Sequence, residues 1–205
     1  SLVHSVASHV VEVAARCASD KLFGSLLKAW VFPKVQELAG HRIANFVLQT
    51  AVASCRTNSQ RDSFVTLLTP SLPKLFEVNY TCVVWRLVEG AATSDDRDIQ
   101  AKAVTAVLAV ASDAGGASDG GKTGAVQWLT GVAAPTGPEI GNTTHGLLPN
   151  GCRIVKALLQ CKPSVCRPVL DSLLSMHARR LVALSRSPWG SRHAGVSGSG
   201  GDGRG

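Results

Sequence analysis

The chain has 205 residues, 45% hydrophobic and only 5% aromatic. That composition excludes a disordered chain and favours packed aliphatic helices over an aromatic-rich sandwich. Twenty-one Lys and Arg against fourteen Asp and Glu give a net charge of +7, spread without blocks of one sign, a balance that suits a distributed positive face for polyanions such as nucleic acid or acidic protein surfaces.

In chain order, apolar residues at three-to-four spacing predict a helix over 6–17, then one or two over 23–38 broken near Pro33, and another over 41–54. Residues 61–68 and 73–76 lead into a helix over 80–92. Asp95 and Asp96 precede an amphipathic helix over 99–111, acidic where a helix N-terminus favours it. Glycine, serine and aspartate make 112–124 a loop, and GGKTG within it lacks the spacing and the preceding strand of a phosphate-binding loop. A short helix over 125–133, the loop PTGPEIGN, and helices over 150–160, 167–176 and 178–184 follow, with a low-complexity tail from Gly195.

No 18-residue apolar run appears, and the six cysteines, at 17, 55, 82, 152, 161 and 166, form no CxxC pair, so an intracellular, reduced protein is the simplest account. The six histidines are dispersed, with no HxxxH or paired-carboxylate motif, which leaves no metal or acid–base constellation and predicts a protein that is not an enzyme and needs no cofactor. Trp30, Trp85, Trp128 and Trp189 read as packing residues. The chain opens already in helical pattern, as a piece of something longer would.

A five-residue pattern recurs: SHVVE from Ser8, NFVLQ from Asn45, CVVWR from Cys82, CRIVK from Cys152 and a worn SRHAG from Ser191. The intervals are 37, 37, 70 and 39; the long one exceeds 37 by 33, about the length of the loop-rich stretch 112–144. Intervals of this size filled by helices predict an all-α solenoid whose repeats bury one another's apolar faces. Equivalent helices then stand side by side, and the pattern forms a ladder with rungs roughly 10 Å apart. At i, i+1 and i+4, Asn45, Phe46 and Gln49 are expected to share one exposed strip.

HRIANFVLQ, PNGCRIVKALLQ and SPWGSRH carry a resemblance to the Pumilio repeat family over residues 3–193. The resemblance implies a right-handed superhelical solenoid of Pumilio/armadillo-like repeats, in which the first and fifth motif residues contact a base edge and the second stacks between bases. It divides the chain into repeats over 1–111, an insertion over 112–144, further repeats over 145–194 and a tail over 195–205. The irregular repeats, the insertion and SPWGSR are more similar to the nucleolar Pumilio-like subfamily that matures small-subunit ribosomal RNA than to the regular messenger RNA regulators.

By that resemblance Ser8 and Glu12 form a guanine-reading pair, the carboxylate accepting from the base's amino and imino hydrogens, with His9 able to stack. Asn45 and Gln49 resemble a uracil-reading pair with Phe46 as the stacking face. Cys82 with Arg86, and Cys152 with Arg153 and Lys156, depart from the polar code and read as electrostatic rungs, with Arg153 able to stack and Val83 poorly suited to do so. Trp85 falls on the core side of its motif, and Ser191 with Arg192 reads as a capping repeat. The implied partners are single-stranded RNA, above all pre-ribosomal RNA, and ribosome-assembly proteins, in the nucleolus, with no membrane. The other class the sequence allows is a protein-interaction scaffold that keeps the helical stack without base readout.

Overall fold

The computed structural model describes residues 5–114, 124–131 and 148–186. Twelve α-helices occur among them: α1 Ser5–Cys17, α2 Asp20–Leu26, α3 Val35–Gly40, α4 Ala44–Ala53, α5 Asn58–Leu68, α6 Leu72–Glu77, α7 Thr81–Ala92, α8 Arg97–Ala114, α9 Gly124–Thr130, α10 Pro149–Leu159, α11 Pro163–Leu174 and α12 Ala178–Arg186. The described residues include no strand. The expected break near Pro33 is a π-turn at Leu27–Val31 followed by a 3-10 turn at Phe32–Lys34, as befits a residue with no N–H to continue the ladder.

Local chemistry sets the helix starts. Ser19 caps α2 by accepting from the Leu22 N–H. Thr57 and Gln60 form a reciprocal capping box on α5, which therefore begins three residues before the start predicted from apolar spacing. The Nδ1 of His41 accepts from the N–H groups of Ile43 and Ala44, both at 3.1 Å, and so caps α4 with an imidazole. At the α6–α7 junction Asn79 adopts a left-handed φ of 59°, and the following Tyr80 N–H returns to Leu75 O at 2.8 Å. Asparagine tolerates that conformation better than most side chains.

The helices pack as a solenoid. α1, α4, α7 and α10 stand side by side in that order, each contacting the next, while α2–α3, α5–α6, α8–α9 and α11 form the opposite layer. Phe23, Leu27, Leu48, Phe64, Leu68, Leu72, Leu129, Ile154 and Leu158 are fully buried between the layers, each contributing roughly 1.5–3 kcal/mol through burial. Edge-on pairs Phe32–Phe64 and Phe76–Trp128, at 5.1 and 4.9 Å, bridge neighbouring helices.

Polar staples join successive repeats. Arg56 bonds Asp20 and the Ala18 carbonyl, both at 2.6 Å. Ser94 donates to Asn58 at 2.9 Å, Lys102 pairs with Asp62 at 2.6 Å, and the Lys162 N–H donates to Gln100 Oε1 at 2.8 Å. The stretch 112–144 includes the last turn of α8 and all of α9, whose Ala125, Val126 and Leu129 are buried against α8, α10 and α11. Within the described part, α9 belongs to the packed repeat. Trp30 corrects an expectation: it is 62% exposed beside Val11, Leu22 and Leu26, not a packing residue. Trp189, Ser191, Arg192 and the tail from Gly195 lie outside the described residues.

Candidate nucleic-acid interface

Adjacent burial fixes which residues of each inner helix share a place. In α4, Val47 and Leu48 point inward, followed one turn on by Ala51 and Val52; in α10 Ile154, Val155 and Leu158 do the same. In α7 the inward residues are Val83, Val84, Leu87 and Val88. Matching these sets puts Thr81, Cys82 and Trp85 in the places of Asn45, Phe46 and Gln49, one residue earlier than CVVWR implies. Val83, taken from sequence as the second residue of its motif, is a core residue with no exposed surface.

At the α4 rung the three side chains do not share one strip. Phe46 is 55% exposed, but Asn45 is only 5% exposed. The Asn45 Nδ2 donates to the carbonyls of His41 and Arg42 at 2.8 and 2.9 Å, and its Oδ1 accepts from Gln49 Nε2 at 2.9 Å. Carbonyls only accept, so the Asn45 amide has one workable orientation, and it obliges Gln49 to turn Nε2 inward and Oε1 away. Asn45 therefore orients Gln49 and does not itself reach the surface.

Glu12, Arg16, Phe46, Gln49, Ser54 and Arg86 line an open cleft over α4, between α1 and α7. Glu12 Oε1 is shielded from solvent and has no hydrogen-bond partner among the described residues; His9 Nδ1 stands 3.8 Å from it. His9 is exposed, and the side chain of Ser8 lies outside the described residues.

The α7–α10 seam differs. Asn150 Nδ2 donates to both Thr81 Oγ1 and Cys82 Sγ at 3.1 Å, so the polar atoms at the first two places are engaged by the protein. Trp85 is half-buried and packs against the edge of the core, as its apolar place in CVVWR suggested, while keeping part of its ring exposed. The guanidinium carbons of Arg86 and Arg153 lie 4.1 and 4.8 Å from its ring centroid. Arg86 also pairs with Glu89 at 2.6 Å. Cys152 is half-buried with its thiol pushed up by burial, and Lys156 is exposed. Sequence reasoning placed Arg86 on the ladder but missed Arg16 and Trp85. The α7 frame could have been found by asking which adjacent apolar pair repeats the Val47–Leu48 turn.

Among the described residues there is no group of three or more His, Cys, Asp and Glu able to hold a metal ion, and no helix is long and apolar enough to cross a membrane.

The stacked helical layers and inner ladder define a Pumilio-type α-solenoid. Residues 1–194 match the model of the NOP9-like PUF repeat domain, and the chain belongs to that family. Among solved structures, the fold is similar to APUM23 with its insert region deleted and the oligonucleotide GGAAUUGACGG, at TM-score 0.75 and 20% identity over 93% of this chain. It is likewise similar to APUM23 with GGAUUUGACGG, at TM-score 0.77 and 19% identity over 93% of this chain. The chain spans 36 to 37% of the length of those proteins. No curated protein matches its sequence.

Proposed function

We propose that this chain binds single-stranded RNA along the α1–α4–α7–α10 face, as a noncatalytic segment of PUF solenoid, and that its RNA is the precursor of small-subunit ribosomal RNA in the nucleolus. The observation that carries the reading is the cleft that the Glu12 carboxylate, the oriented Gln49 amide and the exposed Phe46 ring line together. A base stacked on Phe46 meets an acceptor at Glu12 and an amide at Gln49, while Arg16 and Arg86 supply positive charge at the rim. Membership of the NOP9-like family and the net charge of +7 support the same ligand class. The choice of pre-ribosomal RNA, with ribosome-assembly proteins as further partners, rests on the similarity of the insertion and of SPWGSR to the nucleolar subfamily.

The test is fluorescence anisotropy with a single-stranded RNA pool and matched DNA at two salt concentrations, for the wild type and Phe46→Ala. RNA-preferring binding that survives added salt and falls about tenfold or more in Phe46→Ala is expected, since stacking on one aromatic is worth about 1–3 kcal/mol per base. No binding by the folded wild type would instead leave a protein-interaction scaffold.

A further inference from the structure

The α7–α10 seam brings two guanidinium groups to one indole. Both groups are cations, and three features hold them at the ring. The ring's negative face attracts both cations, Glu89 holds Arg86 at 2.6 Å, and Asn150 Oδ1 lies 3.5 Å from Arg153. The same seam is poorly equipped to read a base edge. Trp85 stands where Gln49 stands on the preceding rung, and an indole offers a single donor and no acceptor. Thr81 and Cys82 already receive hydrogen bonds from Asn150. Paired guanidiniums suit another part of a nucleic acid, the phosphodiester, whose oxygens match their forked N–H geometry.

We infer that Trp85 is a positioning residue that holds Arg86 and Arg153 as a paired clamp for one backbone phosphate of RNA. The inner face then has two halves, a base-reading cleft centred on Glu12, Phe46 and Gln49 and a backbone-gripping seam centred on Trp85. The inference rests on the RNA-binding reading above and adds that the nucleotide at this seam supplies affinity without base preference.

The experiment titrates the full chain with an RNA selected from a randomised pool, over a potassium chloride series, comparing the wild type with Trp85→Leu and Trp85→Phe. Thermal melts accompany each titration. Trp85→Leu keeps apolar volume but removes the quadrupole. It should weaken binding several-fold, equally for RNAs differing at any one position, and should lower the slope of log affinity against log salt by about 0.7, the increment for one single-strand phosphate. Trp85→Phe retains an aromatic face and should restore most of the slope. If Trp85→Leu does not fold, Arg153→Gln carries the test with the same expected loss of slope. A native-melting variant with an unchanged slope, or one that alters base preference at a single position, overturns the clamp while leaving RNA binding intact. Failure of the wild type to bind RNA overturns the RNA reading itself, and the clamp with it.

Discussion

Gln49 donates through Nε2 to Oδ1 of Asn45 at 2.9 Å, and Asn45 in turn holds the carbonyls of His41 and Arg42. One buried amide thereby ties the entry to α4 to the side chain that faces the cleft. Asn45→Ala should cost about 1–3 kcal/mol of stability, read as a lower urea midpoint, because hydrogen bonds at a buried site are lost. Asn45→Asp should cost more, since a carboxylate would face two carbonyl oxygens with no proton to give. Gln49→Ala should lower the midpoint by less than Asn45→Asp, because it removes one hydrogen bond and leaves only the Asn45 Oδ1 without a donor.

Gly151 faces the backbone of the preceding helix. A Cβ at this position would stand 1.6 Å from the Leu129 carbonyl oxygen and 2.6 Å from its carbon, which is overlap with main chain that cannot rotate away. Gly151→Ala should therefore push α10 off α9 and destabilise by about 3 kcal/mol, at the upper end for overpacking. Gly40→Ala, where nothing lies within 4 Å of the added carbon, is the control and should not lower the midpoint comparably. Equal effects would show that α9 does not hold α10 this closely.

The cysteines should separate by reactivity. Burial pushes the Cys55 thiol up from its ordinary 9.0 to about 12 and Cys161 to about 11, so at pH 8 only on the order of one Cys55 in ten thousand is thiolate. Iodoacetamide at pH 8 should label the exposed Cys17 first and leave Cys55 and Cys161 until denaturant is added. The same shifts predict a pH effect on folding. Between pH 9 and about 12 the folded state retains protons that the unfolded state releases, so stability is full below pH 9 and declines as pH rises through that window. Cys55→Ala should flatten the decline.

Trp30 and Leu22, 62% and 60% exposed, border an apolar cleft with Val11 and Leu26. Such a patch promotes association. Trp30→Ser should reduce concentration-dependent self-association in sedimentation velocity while moving the folding free energy by no more than about 0.5 kcal/mol, because the indole is mostly in water.

Helical periodicity, the recurrence of a five-residue pattern and the break at Pro33 were all legible in the chain, because three-to-four spacing and proline's missing N–H act locally. So was the exposed Phe46, an aromatic one residue ahead of an inward pair. The frame of α7 was not: CVVWR offers consecutive apolar residues, and only packing against α4 and α10 decides that Val83 and Val84 are buried outright while Trp85 packs at the core's edge. Nor could a sequence show that Asn45 spends its amide on two carbonyls of the preceding turn, or that Arg153, far along the chain, returns to the ring of Trp85. By itself the sequence determined the helical repeat and the residue types available to its inner face, since those follow from neighbours a few positions apart. Which of those residues are left to meet a ligand was decided by the stacking of the repeats, because burial and hydrogen-bond partners are set by helices that meet only in the folded chain.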